Sequence, residues 1–313
     1  SIAQNNFMGS GNNVAIQVNS AKTYRTYVFS YTNPYFTQDG VSQGFDLYQR
    51  TVNTTTTAIA AYSSSSYGGG LRFGFPIGEK ESIGLGLGVD STTITTYTNS
   101  PQYYVDYVKN FGKTNLSIPL TLSWASDGKD SYFFPTKGTF QKASLEVALP
   151  GGDLTYYRAS YQLQHFIPLT SRFTLMLNGE VGYAAGYGDS GLPFFKNFYA
   201  GGIGSVRGYK ASSLGPLSTD SSTGTVYRLG GNSRVIGNAE LLWGIPGMEK
   251  SFRMGWFFDA GQVYGNDAAQ SSSSGLRYST GLSASWISPI GPLKFSFGRP
   301  LNKQADDKSE SFQ

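Results

Sequence analysis

The feature that most constrains the fold of this sequence is an alternation of apolar and polar residues with a period of two. Near the middle of the first half, the apolar residues fall on odd positions: Ile83, Leu85, Leu87 and Val89. Two later segments repeat the pattern, with apolar residues at Leu116, Ile118, Leu120, Leu122 and Trp124, then at Phe173, Leu175, Leu177, Val181, Tyr183 and Tyr187. Because successive side chains of a strand point to opposite faces, the pattern predicts strands with one apolar and one polar face.

Length and composition indicate that these strands cross a membrane. Segments such as 171–187 and 226–246 exceed the roughly 9–11 residues that a tilted strand needs to span a bilayer. Charged residues make up only 14% of the chain and hydrophobic residues 39%, while Gly (40), Tyr (22) and Phe (21) are abundant. In a membrane barrel only alternate residues face lipid, and aromatic residues gather at the interfaces. The sequence therefore predicts an all-β fold, an antiparallel transmembrane β-barrel.

The connections support one barrel domain over residues 1–313. Short links are expected at Ser20–Thr23, Pro76–Lys80, Pro168–Ser171 and Ser288–Pro292, and long polar loops at 53–65, 96–112, 188–225 and 265–275. Short turns at one rim and long loops at the other are typical of outer-membrane barrels. We expect about thirteen strands, at 11–20, 24–32, 41–52, 67–76, 80–95, 113–126, 137–149, 154–168, 171–187, 226–246, 251–264, 276–288 and 292–300. A partial strand begins at Ser309.

Other kinds of site find little support. The chain has no cysteine, which excludes thiol catalysis and thiolate metal sites. Its net charge of +4 is small and dispersed, whereas a nucleic-acid-binding surface carries clustered positive charge. The one histidine, His165, falls on the outward face near a strand end, where a hydrolase triad cannot use it. Asp127 and Asp130 resemble a calcium loop only faintly, because the closing glutamate is missing. We therefore expect no catalytic residue, metal or cofactor.

The longest loop has an unusual composition for a solvated loop. Its central part, Phe195–Pro216, reads FKNFYAGGIGSVRGYKASSLGP, and it contains a single arginine, Arg207. Aromatic residues precede the arginine at Phe194, Phe195, Phe198 and Tyr199, with glycines at Gly201, Gly202, Gly204 and Gly208. Apolar rings are costly to leave in water, and glycine lets a backbone fold back tightly. We expect this loop to fold into the lumen of the barrel, where Arg207 needs a carboxylate partner.

Parity, meaning whether a residue falls on an odd or an even position of a strand, supplies two candidate partners for Arg207. In segment 234–243 the apolar residues take the outward-facing positions, which leaves Glu240 on the inward face. In segment 251–264 the same pattern leaves Asp259 and Arg253 on the inward face. A guanidinium that bridges two carboxylates is a specific, bidentate-capable contact. The alternative is that these are separate lumen charges in contact with channel water.

An ordered series of motifs resembles the BamA family of outer-membrane assembly factors, also described as the bacterial surface antigen or VRG-loop superfamily. The VRGY sequence at 206–209 follows FYAGG at 198–202. The other matching segments, in chain order, are NPYF at 33–36, YGGGLRFGFPI at 67–77, FFPTKG at 133–138, GGN at 230–232, FFDAG at 257–261 and SPIGPLKFSFGRPL at 288–301. The resemblance covers nearly the whole chain.

The resemblance implies roles for particular residues. In the family the loop arginine pairs inside the lumen with acidic residues on the following two strands. By motif match these are Arg207, Glu240 in NAELLW and Asp259 in FFDAG, which we call the loop lock. Val206 and Tyr209 flank the arginine, and Gly201, Gly202, Gly204 and Gly208 shape the loop backbone.

The family barrel has sixteen strands and follows periplasmic POTRA domains. No POTRA sequence is found in these residues. SIAQNNFMGSG at the start resembles the end of the family's second strand, and KSESFQ at the end stops inside the last strand. We therefore expect the first strand to be missing and the last to be truncated.

The function implied by resemblance is non-enzymatic insertion of other β-barrel proteins into the outer membrane of a Gram-negative cell, without ATP and through a lateral seam. The implied partners are unfolded client barrels, outer-membrane lipids and lipopolysaccharide, and the lipoproteins of the assembly complex. Two alternatives remain: a two-partner secretion or TamA-type translocator, which shares the VRG loop, and a passive porin-like channel. The aromatic, glycine-rich loop favours a plug over a porin constriction, and conductance would separate the two.

Overall fold

The computed structural model describes residues 2–54, 61–188, 191–219, 225–249, 251–265, 275–289 and 291–313. Within these ranges strand is the predominant secondary structure. The strands are β1 (Ile2–Gln4), β2 (Asn13–Ser20), β3 (Tyr24–Asn33), β4 (Ser42–Asn53), β5 (Tyr62–Pro76), β6 (Glu81–Thr96), β7 (Thr114–Ser117), β8 (Pro119–Asp127), β9 (Gly138–Ala148), β10 (Tyr156–Pro168), β11 (Phe173–Gly186), β12 (Gly208–Tyr209), β13 (Leu217–Thr219), β14 (Val226–Arg228), β15 (Ser233–Gly244), β16 (Phe252–Tyr264), β17 (Arg277–Ser288), β18 (Gly291–Pro300) and β19 (Ser309–Glu310).

Helical structure is sparse. One α-helix, α1, spans Gln102–Phe111, and single 3-10 turns lie at Phe7–Gly9 and Phe194–Lys196. None of the described helices combines the length and the apolar character that a membrane span requires.

The chain divides into two compact units. The first comprises Ser1–Ala125, Ala143–Ala159 and Ala184–Lys196, and the second comprises Ser126–Lys142, Ser160–Tyr183 and Asn197–Gln313.

The first unit is built on antiparallel strands that pair in chain order from β1 to β6, with β7 also paired to β6. The alternation around residue 83 appears as expected, because Leu85, Leu87 and Val89 are 40–50% exposed while Thr92 and Ile94, of opposite parity, are buried. Large apolar side chains exposed on alternate positions of a strand are what a lipid-facing sheet requires.

In the second unit β11 pairs with β15, and β15 to β18 then pair in chain order. The outward residues of β11 behave as predicted, since Phe173, Leu177, Val181 and Tyr183 are exposed while Thr174 is buried. The register matches Asn238 on β15 with Asp259 on β16, and Glu240 with Phe257. On β16 the inward residues Phe257 and Asp259 are buried, whereas Trp256 and Phe258 on the opposite face are exposed, and on β15 the inward Glu240 is buried.

The structure differs from the expected elements in four places. The loop expected at 188–225 contains the short strands β12 and β13. Residues 55–60, 189–190, 220–224 and 266–274 of the expected loops lie outside the described residues. The polar link expected at 96–112 contains α1, which begins after Pro101 and ends at Gly112. The strand expected at 113–126 is interrupted at Ile118, and the one expected at 226–246 is split into β14 and β15. Otherwise each expected strand corresponds to an observed strand, including the short β19 at Ser309.

Two further expectations, one on a side chain and one on the lengths of the links, are also corrected. Tyr187, expected on the outward face of β11, lies past the end of that strand, and its hydroxyl donates to the carbonyl of Ala148. The link at 21–23 leaves from the same end of its strands as the long connection after β6, because alternate connections of an antiparallel sheet share an end. The expected arrangement, with all short links at one end of the strands and all long links at the other, therefore does not hold for this link.

Candidate functional site

The loop reaches the sheet of the second unit through a tight turn before Arg207. The amide of Gly202 donates to the carbonyl of Val206 at 3.1 Å, and the amide of Ser205 donates to Gly202 at 3.0 Å. The amide of Gly201 is held by the Ser205 hydroxyl at 2.8 Å. This turn directs Val206 and Arg207 onto the strands, where both side chains are buried.

Arg207 binds Asp259 through three of its nitrogens. Nε and Nη2 donate to the two carboxylate oxygens at 2.7 and 2.8 Å, and the backbone amide of Arg207 donates to Oδ2 at 3.0 Å. This is the bidentate fork geometry for which a guanidinium is suited. The carboxylate thus fixes the loop backbone as well as the side chain.

Glu240 provides the second carboxylate, at 3.0 Å from Nη1 of Arg207. Its other oxygen accepts a hydrogen bond from the Ser283 hydroxyl of β17. Asn238 donates its side-chain amide both to Asp259 at 2.8 Å and to the Ser205 carbonyl at 2.7 Å. The two carboxylates therefore have neutral donors in addition to the arginine, which offsets the excess negative charge of one cation between two anions.

Sheet register explains how these residues meet. Glu240 lies opposite Phe257, and Asp259 is two residues further along β16, opposite Asn238. Residues two apart share a face, and diagonal neighbours on adjacent strands lie within reach of a long side chain. Parity thus places Glu240 and Asp259 on the same face of the sheet, and the register of β15 and β16 brings them close together on that face.

Phe257 completes the site and was missed by the sequence analysis. The guanidinium of Arg207 stacks on its ring, with Cζ 3.6 Å from the ring centroid. An aromatic face attracts a cation, most strongly where water is excluded. Phe257 lies between two outward aromatic residues of β16, so parity alone places it inward. Its inward position was therefore predictable from the sequence, although only charged residues were expected as partners of Arg207.

Gly208 and Gly298 allow the loop to lie directly on β18. Gly208 has a φ of +84°, and a Cβ added there would lie 3.0 Å from the carbonyl carbon of Gly298. A Cβ on Gly298 would in turn lie 2.8 Å from the Gly208 nitrogen. A side chain at either position would separate the two backbones.

The other named glycines differ from one another. Gly201 and Gly202 have φ of +107° and +94°, which favours glycine. Gly204 has no positive φ, and a Cβ there would meet nothing within 4 Å. The structure gives a backbone reason for the first two and none for Gly204. Tyr209, which follows Gly208, is buried, and its hydroxyl lies 3.4 Å from the Tyr278 carbonyl.

The electrostatics favour a charged arginine. Burial alone would lower the pKa of Arg207, but its hydrogen bonds to Asp259 and the charges of Glu240 and Asp259 raise it above its ordinary value. All three side chains are at most 4% exposed. At a site this buried, a charge left without its partner costs about 3–5 kcal/mol of folding stability. Each of the three charged side chains therefore depends on the other two.

The first part of the loop is held separately, within the first unit. Phe194 is fully buried and stacks on Tyr104 of α1 with 3.8 Å between ring centroids, and Tyr62 and Tyr107 meet it edge-on. Lys196 pairs with Glu146 at 2.8 Å. We call Phe194 with its three tyrosines the aromatic anchor. The partners of Phe194 were not predicted from the sequence, because two of them lie on α1, which was not expected.

The remaining candidates lie outside this site. His165 is exposed and lies 2.7 Å from the Thr139 hydroxyl, as its outward parity predicted. Asp130 accepts hydrogen bonds from the Thr136 and Lys137 amides and so closes its own turn. Arg253 is buried and donates to the Pro135 carbonyl at 2.6 Å, not to the carboxylates of the loop lock.

Comparison with known proteins gives consistent results. The outer membrane protein assembly factor BamA of Neisseria meningitidis serogroup B is 36% identical over 348 residues, covering 100% of this chain and 44% of that protein. The crystal structure of BamA from Haemophilus ducreyi lacking POTRA domains 1–3 matches with a TM-score of 0.89 and 28% identity, over 99% of this chain and 65% of that one. CdiB from Acinetobacter baumannii matches with a TM-score of 0.62 and 14% identity, over 99% of this chain and 54% of that one, which shows the fold alone.

The chain spans less than half the length of the Neisseria protein. The all-β fold and the resemblance to the BamA family are confirmed, and the chain is an outer-membrane protein of the β-barrel type. The model of the Omp85 superfamily domain matches residues 6–313, so the chain belongs to the Omp85 superfamily.

Proposed function

We propose that this chain is the barrel of an outer-membrane protein assembly factor, which folds other β-barrel proteins and inserts them into the membrane. The observation that carries the proposal is the loop lock, the buried contact of Arg207 with Asp259 and Glu240. The Neisseria relative, 36% identical across the chain, is itself named an assembly factor. The role of the lock is to hold the loop segment around Arg207 against β15, β16 and β18.

The activity needs no catalytic residue. A strand edge with unpaired backbone groups can template the strand of another chain, and the client's own folding supplies the free energy. In the second unit, β18 pairs with β17 along its length on one side. On its other side, residues 296–298 pair with residues 311–313. A client strand would add at a seam of this kind, where one strand leaves its neighbour.

The lock contributes rigidity to the sheet. Gly208, adjacent to Arg207, lies against Gly298 of β18, so the position of the loop is coupled to that strand. Loss of the lock would leave Glu240 and Asp259 buried without their cation, and the loop would leave its place on the sheet. The strands β15 to β18 would then be less well ordered during client folding.

The partners follow from this role. Unfolded outer-membrane proteins are the clients, outer-membrane lipids and lipopolysaccharide contact the exposed apolar face, and the lipoproteins of the assembly complex bind the full-length protein. A short hydrophobic belt would also thin the adjacent bilayer and lower the barrier to insertion.

Two other functions compete with this one. A two-partner secretion or TamA-type translocator would share the fold, and the CdiB match extends to the fold alone. A passive channel would leave the interior open. The buried aromatic and glycine-rich loop favours the assembly role over the channel, because its contacts hold it in place.

The test uses the full-length protein reconstituted into lipid vesicles and planar bilayers. We expect it to accelerate the appearance of protease-resistant, folded client barrels added in urea, and to show small, intermittent conductance. Vesicles without the protein are the control. Large steady conductance together with no acceleration of client folding would reject the assembly role in favour of a channel.

A further inference from the structure

A row of side-chain amides crosses neighbouring strands of the second unit and ends at the loop lock. It starts at Gln162 of β10, passes through Asn178 of β11 and Asn238 of β15, and reaches Asp259 of β16. The register places Asn178 opposite Asn238, and Asn238 opposite Asp259. Each link is a hydrogen bond, at 2.9 Å from Gln162 to Asn178, 2.9 Å from Asn178 to Asn238 and 2.8 Å from Asn238 to Asp259. We call Gln162, Asn178 and Asn238 the amide row.

All three amides of the row donate in the same direction. A carboxylate accepts hydrogen bonds and has no N–H, so Asn238 turns its Nδ2 toward Asp259. The Oδ1 of Asn238 then faces Asn178, which donates in turn, and the Oδ1 of Asn178 accepts from Nε2 of Gln162. Aligned hydrogen bonds polarise and strengthen one another away from bulk water. The row therefore favours the one orientation of Asn238 that donates to Asp259.

The hydrogen bond from Asn238 completes the set of donors around Asp259. Oδ1 accepts from Nη2 of Arg207 and from Asn238, both at 2.8 Å. Oδ2 accepts from Nε and from the backbone amide of Arg207, at 2.7 and 3.0 Å. A carboxylate has about four acceptor sites, and Asp259 is fully buried, so bulk water does not readily replace a missing donor. Loss of Asn238 would leave a buried carboxylate oxygen short of one donor.

Asn238 also holds the loop directly. Its Nδ2 donates to the carbonyl of Ser205 at 2.7 Å, and Ser205 belongs to the tight turn that precedes Arg207. An amide nitrogen carries two protons, so the hydrogen bonds to Asp259 and Ser205 can form together. Asn238 therefore ties the turn of the loop to the carboxylate that Arg207 binds.

The amide row faces a polar cavity beneath the loop. The cavity has a volume of about 170 Å³, and its lining includes the three amides of the row, loop residues 203–205 and Lys294 of β18. A polar cavity of this size can hold water, which competes for amide N–H groups and carbonyls. A fixed donor direction along the row keeps the amide of Asn238 on the lock instead of on this water.

We propose that Asn238 is a positioning residue of the loop lock, and that Asn178 and Gln162 hold its amide on Asp259 and Ser205. This inference rests on the proposed assembly function and deepens it. The row ties the loop to β10 and β11, which precede the loop in the chain, as well as to the strands that follow it. Asn178 reaches the lock through Asn238, so a change at position 178 tests the row and leaves every group that binds the loop in place.

The test replaces the donor at position 178 by an acceptor. Asn178→Asp puts a carboxylate opposite Oδ1 of Asn238, so Asn238 gains by turning its Nδ2 toward position 178 and away from Asp259 and Ser205. Asn178→Leu, of similar size, removes the partner but offers no competing acceptor. Asn19→Asp, on an exposed side chain of β2, is the matched control for the added charge.

Two measurements on the full-length protein in lipid nanodiscs, with isotope-labelled asparagine, follow the row. The first is the pair of side-chain amide NMR signals of Asn238, identified by their loss in Asn238→Gln. We expect these signals to shift in Asn178→Asp and to keep their parent positions in Asn19→Asp. The second is hydrogen exchange at the Arg207 backbone amide, which should be at least roughly tenfold faster in Asn178→Asp than in the parent, and faster than in Asn178→Leu. Unchanged Asn238 signals, or equal exchange in the two position-178 variants, would overturn the proposal.

The functional part compares client folding by the same variants in vesicles. We expect Asn178→Asp to fold added clients at least roughly threefold more slowly than the parent, and Asn19→Asp to match the parent. If Asn178→Asp frees the Arg207 amide but folds clients at the parent rate, the row has no part in assembly, while the proposed function stands. If the parent protein folds no client, the proposed function fails, and the NMR signals and exchange rates still decide whether the row positions Asn238.

Discussion

At the scale of single residues, the two carboxylates of the loop lock have unequal tasks. Asp259 accepts three hydrogen bonds from Arg207, one of them from its backbone, while Glu240 accepts one and is shared with Ser283. The guanidinium therefore depends mainly on Asp259 for its orientation. Glu240 adds charge and a contact with β17.

The first prediction concerns this inequality. Asp259→Asn should lower the free energy of unfolding by about 3–5 kcal/mol, because an amide nitrogen would face the buried guanidinium. Glu240→Gln should cost less, about 1–3 kcal/mol, since Glu240 accepts only one of the hydrogen bonds that Arg207 donates. Urea unfolding of the refolded barrel, followed by tryptophan fluorescence, measures both. Glu249→Gln, on a fully exposed side chain, is the control, and an equal cost for Asp259→Asn and Glu240→Gln would contradict the assignment.

The second prediction compares two loop glycines. Gly208→Ala should destabilise the loop, because φ is +84° and the new Cβ would press on Gly298. Gly204→Ala should be neutral or stabilising by up to about 1 kcal/mol, since its surroundings are open and alanine restricts the unfolded chain. Protease sensitivity of the loop reports the difference. Similar sensitivity in the two variants would show that close backbone approach does not hold the loop.

At the scale of elements, alternation predicted the strands well and the loops poorly. A lipid-facing strand must carry apolar residues at every second position, so its sequence shows which of its side chains face the lipid. The helix α1 has only a short amphipathic pattern, with Tyr104 and Tyr107 buried three residues apart, inside a segment rich in polar residues. Its stability depends on Phe194, ninety residues away, and no local pattern encodes such a contact.

The third prediction tests this long-range contact. Phe194→Ala removes the ring at the centre of the aromatic anchor and should cost about 3–5 kcal/mol locally. Hydrogen exchange in α1 and at residues 191–196 should accelerate together. Asn110→Ala, on an exposed side chain of the same helix, is the control and should change exchange little. If α1 keeps its protection without Phe194, the helix is held by other contacts.

At the scale of the whole molecule, the sequence allowed the fold, the family and the inward direction of Glu240 and Asp259 to be predicted. The inward direction of Phe257 also followed from parity, but its contact with Arg207 depends on where the loop meets the sheet. The contacts of Phe194 with Tyr104 and Tyr107 could not be predicted, because these residues are far apart in the sequence. The interpretation of Arg207 as a lock came from a family motif and from parity, and the structure adds its distances and its partners. Its functional importance stays a prediction.

The most direct test of the proposed function links the lock to assembly. Full-length protein with Arg207→Ala, reconstituted in vesicles, should fold added clients at least roughly tenfold more slowly than the parent protein. The variant barrel should still resist heat unfolding in the same vesicles, because its strands keep their pairing. Glu249→Gln should match the parent. Client folding at the parent rate, in a variant whose loop has become sensitive to protease, would contradict the claim that the locked loop sustains assembly.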